Sequence, residues 1–293
     1  MKKRNSVSYL AITILNIIIT LAEFIGGFAS GSLSLLSDAV HNLSDVGSIV
    51  LAYIANLISN SKQNSTKTFG YKRAEIIAAF INGLVLIGIS IYLFIEAIGR
   101  FSNPQPIQGQ VMFIVSLIGL LTNFISMIIM IKKAKNNLNA KAMFLNMASD
   151  TLSSVAVVIG SIVISIWNIT IIDPVLTMLA AIVLFGEAIK VTKKASDILM
   201  ESNLNIDIEQ VKMNILTFKE VKDVHHLHIW QYSDEVIMLE AHLNVNSDIS
   251  VTELEDLYSK IERSLVNKFE IRHTTFQVEC NQKEDQEISA LNA

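Results

Sequence analysis

Six stretches of mainly apolar residues follow one another through the first two thirds of the chain. They cover Val7–Phe28, Leu33–Ile58, Ala74–Ile98, Val111–Ile131, Ala142–Ile164 and Ile171–Val191. A helix that crosses a bilayer needs about 20 such residues, so the pattern predicts six spanning helices. Polar residues interrupt the second and fifth stretches, and the sixth opens on Asp173-Pro174, where proline suits a first helical turn. The first stretch follows MKKR. It is too long for the apolar part of a signal peptide and has no small-residue cleavage site before Glu23, so it is expected to be a retained span. After Asn203 the period changes. IEQVKMNILTF, residues 208–218, suits a short amphipathic helix, and VHHLHIWQ, residues 224–231, reads as a strand. In 236–245, Ile237, Leu239, Ala241, Leu243 and Val245 alternate with Met238, Glu240, His242 and Asn244, the signature of a half-buried strand. Ser250 and Glu253 stand at capping-box spacing before a second amphipathic helix, and HTTFQVEC reads as a last strand. The expected fold is an all-α bundle of six transmembrane helices over residues 1–202, followed by a small α+β domain over residues 203–293. The polar tail after Asn281 is expected to be loose.

Composition agrees with that division. The chain has 293 residues, is 51% hydrophobic and 17% charged, and has a mean hydropathy of +0.46. This is too apolar for an ordinary soluble domain. The net charge of −4 hides a split, with +5 in residues 1–202 and −9 in residues 203–293. An acidic second half argues against nucleic acid as a partner, because phosphate binding needs clustered Lys and Arg. In the first half, fourteen of fifteen Lys and Arg lie at 2–4, 60–73, 132–141 and 190–194, and only Arg100 lies on the other set of helix ends. By the positive-inside rule both termini are expected in the cytoplasm of a multi-pass protein of the cell membrane, surrounded by lipid. The single cysteine, Cys280, excludes an intrachain disulfide and a CxxC zinc pattern.

The candidate chemistry lies inside the apolar stretches. SDAVHNLSD carries Asp38, His41 and Asp45, and FLNMASDTLSSV carries Asn146 and Asp150. His41 and Asp45 are four apart, as are Asn146 and Asp150, so each pair lies on one helix face. Two such helices can close four nitrogen and oxygen ligands around a divalent ion such as Zn²⁺. The plainer alternative is hydrogen bonding between helices, but two matching pairs in two segments rich in Ser and Gly favour metal. Asp38, one turn before His41, either supports that imidazole from behind or lines a water-filled vestibule. Glu23, Glu96 and Glu187 read as helix-end or bundle-face residues. Five of the six histidines, His225, His226, His228, His242 and His273, lie in the acidic half. His242 and Glu279 fall on the polar faces of their strands, whereas strict alternation groups His225 with Leu227 and Ile229 unless the strand start is frayed.

LSLLSDAVHNLSD, FGYKRAEIIAAFINGL, LNAKAMFLNMASDTLSSVAVVIG and IIDPVLTMLAAIVL, with VHHLHIW, LEAHL and TFQVE, together resemble the cation diffusion facilitator family over nearly the whole chain. The resemblance implies a homodimeric exporter of divalent metal cations with six spans and a ferredoxin-like cytoplasmic domain that binds metal. It implies exchange of metal for protons and no covalent chemistry, so the chain is not expected to be an enzyme. It also implies His225, His242 and Glu279 as a cytoplasmic ligand set, with His273 near a further ligand position. Arg73 and Glu201 would form an ion pair locking the third span to the linker; the plainer alternative is a snorkelling Arg and a solvated Glu. The chain departs from the family pattern in one position. Zinc-exporting members usually show HxxxD in both the second and fifth spans, and here Asn146 stands in place of the second His. An amide oxygen is a harder ligand than imidazole, which shifts preference toward Mn²⁺ or Co²⁺. The NxxxD-with-DxxxD pattern of manganese-type members is not matched either, so zinc stays first, ahead of cobalt, cadmium and manganese. Residues 132–141 contain no His, so a metal-gathering loop is not expected, and 60–71 offer neither His nor Asp for another membrane-side site. The competing functions are a passive divalent-cation channel and a membrane-anchored metal sensor.

Overall fold

The computed structural model describes residues 2–280 except 60, 62, 135–137, 204, 235 and 247. Within the helices it does not describe the side chains of residues 2–13, 48, 49, 52, 56, 132–134, 138–143 and 146. The elements in chain order are α1 (Lys2–Ser30), α2 (Leu33–Ser59), α3 (Ala74–Ser102), α4 (Gly109–Ala134), α5 (Leu138–Trp167), α6 (Ile172–Leu199), α7 (Ile208–Ile215), β1 (Val221–Ser233), β2 (Val236–Val245), α8 (Val251–Phe269) and β3 (Ile271–Cys280). The described residues form two compact units, with divisions after Tyr53, Phe80 and Thr192. The helix ends at 54–59, 74–80 and 193–199 therefore group with the second unit rather than the first.

The first unit is organised polar-inside, apolar-outside. In α1, Ile18, Leu21, Ile25 and Phe28 are exposed, while Thr20, Glu23 and Ser30 are buried. In α2 the buried face carries Ser34, Ser37, Asp38 and Asn42. That inversion is what a helix does when lipid is its outer solvent and its polar groups must find partners inside. Four helices are long and apolar enough to cross a membrane over their described residues: α3, and the Gly109–Ile131, Met147–Trp167 and Ile172–Leu199 parts of α4, α5 and α6. The described apolar part of α1 is the shorter Ile14–Ser30. Close approach of α1 and α4 depends on glycine. A Cβ at Gly26 would stand 2.6 Å from Val115 Cγ2, and one at Gly119 would stand 2.6 Å from Glu23 Oε1.

The start of α2 is fastened by another helix. Asp173, in the first turn of α6, is fully buried. Its carboxylate accepts from Ser32 Oγ at 2.6 Å, Ser34 Oγ at 2.6 Å, Leu33 N at 2.8 Å and Ser34 N at 3.0 Å. The first amides of a helix have no intrahelical acceptor, so Asp173 caps α2 in trans. Arg100 of α3 stands 3.7 Å from Asp173 and donates to Gly31 O at 2.6 Å. The Asp173-Pro174 sequence thus joins the ends of α2, α3 and α6.

The second unit contains a three-stranded mixed sheet in the order β1-β2-β3, with β1 and β2 antiparallel and β2 and β3 parallel. Helices α7 and α8 bury Val211, Ile215, Leu257, Ile261 and Leu265 against Val224, Leu227, Ile229, Leu239, Ala241 and Leu243 of the sheet. Asp207 caps α7 through Glu209 N and Gln210 N, and Ser250 with Glu253 forms the expected capping box of α8. The two hydrogen bonds from Ser250 hold the Glu253 carboxyl below its usual range. Helix α8 ends at Glu270 in the left-handed region, with φ of +59°. The strand β1 is longer than its apolar run, beginning at Val221 and ending at Ser233. It also breaks strict alternation. His225 pairs with His242 and His228 with Glu240, so His226 and Leu227 together oppose one residue, and His226 has φ of +45°. This β-bulge corrects the alternation expected for His225. Val224, Leu227 and Ile229 enter the core, while His225 turns to the side of His242.

Candidate metal centres

The membrane-unit site joins α2 to α5. His41 Nε2 and Asp150 Oδ1 are 3.1 Å apart, with Asp150 buried. One ligand atom each from His41, Asp45 and Asp150 lies within 4.8 Å of the others. An ion bound at about 2.0–2.2 Å from each ligand atom fits inside such a triangle with small side-chain adjustments. The i, i+4 spacing of the sequence therefore yields a real juxtaposition for three of the four expected residues. The fourth, Asn146, is one turn before Asp150 in α5, and its side chain lies outside the described residues. Asp38 is buried and accepts from Ser153 Oγ at 3.2 Å and Ser154 Oγ at 3.4 Å, a second link between α2 and α5. Asp38, His41 and Asp150 line one cavity of about 270 Å³, together with Ser37, Ser153 and Glu187 of α6. The cavity is partly open.

Glu23 carries more than the helix-end role expected from sequence. It is fully buried, and its Oε2 accepts from Asn42 Nδ2 at 2.8 Å. Its Oε1 has no hydrogen-bond partner among the described residues. Asn42 adjoins His41 on α2, so Glu23 holds the ligand helix to α1. The stripe Thr20, Glu23, Gly26, Gly27, Ser30 of polar and small residues at helical spacing was the available signal. Glu96 instead pairs with Arg100 at 3.6 Å, one turn on in α3, both residues being half-buried.

In the second unit the bulge brings His225, His242 and Glu279 together. Glu279 Oε2 is 3.1 Å from His225 Nε2, and its Oε1 is 2.9 Å from His242 Nδ1. Ligand atoms of the three lie within 4.8 Å of one another. Asp223, which sequence reasoning missed, is 3.3 Å from the other ring nitrogen of His225 and 3.5 Å from Lys212 Nζ. A carboxylate behind a ligand imidazole fixes its orientation and leaves the far nitrogen facing the ion. The Asp-x-His spacing on one strand was the signal for it. His273 is exposed opposite Met238, and is outside this cluster.

Arg73 and Glu201 also meet. Arg73 Nη2 donates to Glu201 Oε1 at 2.9 Å, and the guanidinium stands 5.1 Å from the Tyr232 ring centre. Tyr232 Oη donates to Phe69 O at 3.0 Å. Glu201 closes α6 with φ of +59°; its amide donates to Ile198 O, and that of Ser202 to Asp197 O. These two bonds form a Schellman cap, in which glycine is the usual left-handed residue.

Comparison with known proteins places the whole chain in one family. Residues 9–200 match the model of the cation efflux transmembrane domain, and residues 204–280 match that of the cation efflux protein cytoplasmic domain. The chain is 40% identical over 281 residues to the cadmium, cobalt and zinc/H(+)-K(+) antiporter of Bacillus subtilis, covering 95% of this chain and 89% of that one. It is 34% identical over 288 residues to the zinc transporter ZitB of Pectobacterium atrosepticum, covering 97% and 89%. It is also 34% identical over 260 residues to the metal cation efflux system protein CzcD of Cupriavidus metallidurans, covering 88% and 82%. Matched along both units, the chain belongs to the cation efflux family of transporters, the cation diffusion facilitators, and is a multi-pass membrane protein.

Proposed function

We propose that the protein exports divalent metal cations, zinc first among zinc, cobalt, cadmium and manganese, in exchange for protons across the cell membrane. The observation that carries this reading is the convergence of His41, Asp45 and Asp150, whose ligand atoms lie within 4.8 Å of one another in the membrane unit, with His41 and Asp150 lining a partly open cavity. Metal requires neutral imidazole and ionised carboxylates, so protons and metal compete for the same atoms. Protons arriving from the outer side release the ion, and their loss to the cytoplasm restores the ligand set. Asn146 is the fourth ligand, through its amide oxygen, and Asp38 steadies the α2–α5 contact beside the ions' path. Alternating access moves the site between faces by rocking one group of helices against another.

All six long helices span the membrane in this reading, with both termini cytoplasmic. The second unit is a ferredoxin-like domain that joins two protomers into a homodimer. His225, His242 and Glu279 bind a regulatory metal there, and the Arg73–Glu201 pair couples helix ends to that domain. The cadmium, cobalt and zinc named for the Bacillus relative and the zinc named for the Pectobacterium relative support the choice of metals. The test is uptake of Zn²⁺ into proteoliposomes with an imposed pH gradient, in competition with Co²⁺, Cd²⁺ and Mn²⁺. Saturable, competed uptake supports the exporter. Unsaturable flux identifies a channel, and no flux with intact metal binding identifies a sensor.

A further inference from the structure

The second-unit cluster contains a third imidazole. His226 lies 4.8 Å from His242 and 5.5 Å from His225 between ring centres, and His225 and His242 are 5.4 Å apart. Two imidazoles on one tetrahedral ion, with metal–nitrogen bonds of about 2.0–2.1 Å, hold their ring centres roughly 5 Å apart. The three rings therefore already have the mutual spacing of a shared ion. Ligand atoms of His225, His242 and Glu279 lie within 4.8 Å of one another, and the His226 ring stands beside them.

The backbone supplies a second, independent observation. His226 has φ of +45°, inside a strand, where a side chain other than glycine is uncommon. It is the left-handed residue of the bulge that sets His226 and Leu227 opposite a single residue of β2. A regular strand would send consecutive histidines to opposite faces. The bulge lets His225 and His226 both approach His242. Such conformations are unfavourable and persist where the surroundings hold them, often at ligand sites. The other candidates for a fourth ligand are placed elsewhere. Asp223 stands behind His225, bound to its far nitrogen and to Lys212, and His273 is exposed on β3.

Resting on the reading of His225, His242 and Glu279 as a regulatory metal site, we propose that His226 is its fourth ligand, turning about its side-chain bonds to complete a three-imidazole, one-carboxylate set for Zn²⁺ or Co²⁺. Three protein ligands leave an open, exchangeable position, whereas four close the site. His226 thereby makes the site a tight sensor of cytoplasmic metal rather than a transit point.

The test uses Co²⁺ and the full-length protein carrying Asp45→Ala and Asp150→Ala, so that the membrane site does not contribute. Intense visible absorption then reports four-coordinate Co²⁺ at the second-unit site. His226→Gly favours the left-handed backbone and keeps the bulge. It is expected to weaken the absorption and raise the half-saturating Co²⁺ concentration at least about tenfold, the lower end of what even an outer partner contributes. His226→Asn, which also tolerates that backbone, serves as the second variant and is expected to weaken binding as well. Unchanged binding in both variants, with binding lost in His242→Ala, overturns the role of His226 alone. Unchanged binding in His242→Ala as well overturns the site itself.

Discussion

Asp150 is a buried carboxylate 3.1 Å from the His41 imidazole, across two helices. A divalent ion placed between them depends on the carboxylate charge. Asp150→Asn keeps the shape and removes the charge; a buried charge that loses its partner costs about 3–5 kcal/mol, a factor of roughly 10² or more. Zinc uptake by the variant is expected to fall by at least that factor, with an unchanged elution profile in detergent; uptake within a few-fold of wild type removes Asp150 from the site. Asn146 bears on the choice of metal. Asn146→His gives two imidazoles and two carboxylates, a set that suits tetrahedral Zn²⁺. The variant is expected to favour Zn²⁺ over Mn²⁺ and to show a steeper dependence of uptake between about pH 6 and 8, where imidazole titrates. Identical selectivity and pH profile would mean that residue 146 faces away from the ion. His41, Asp45 and Asp150 were legible because spacing on a helix fixes the face. Glu23 was not, because a lone carboxylate in an apolar run has no sequence partner; its donor Asn42 is nineteen residues away on another helix. The face of His225 was hidden for a different reason, since a bulge at a non-glycine residue leaves no mark on a period of two.

Among the elements, the end of α6 separates local from long-range forces. Glu201 holds a left-handed cap that glycine would hold with less strain, and it pairs with Arg73 at 2.9 Å. The Glu201 side chain is 61% exposed, so the pair contributes only about 0–1 kcal/mol to stability. Releasing a left-handed residue offsets about 1–2 kcal/mol in the other direction. Glu201→Gly is therefore expected to leave thermal stability unchanged or slightly raised. If the pair couples helix ends to the second unit, zinc uptake falls severalfold in the same variant. Uptake equal to wild type reduces the pair to a solvated contact. Element identity was largely readable from period and caps: β2 spans 236–245 as expected, and the Ser250–Glu253 box opens α8. The start of β1 was hidden because Lys222 and Asp223 interrupt its apolar pattern. Asp173 as a cap for α2 was beyond sequence, since its partners are about 140 residues away.

For the whole molecule, composition divides the chain near residue 202, where charge changes sign. Packing divides it differently, because 54–80 and 193–199 join the sheet-bearing unit through contacts such as Arg73 with Tyr232 and Tyr232 with Phe69. No periodicity announces contacts made across more than 150 residues. Three helices, α2, α3 and α6, contribute to both units, so helix ends are the covalent link between the proposed regulatory metal site and the proposed transport site. The central claim is exchange of metal for protons at a single site. It is tested most directly by recording Zn²⁺ entry and luminal pH together in proteoliposomes containing the protein. The account predicts that each pulse of Zn²⁺ uptake is matched by proton exit, that both saturate together, and that both vanish in Asp150→Asn. Zinc entry without proton movement, or proton movement that continues unchanged without zinc, would contradict it.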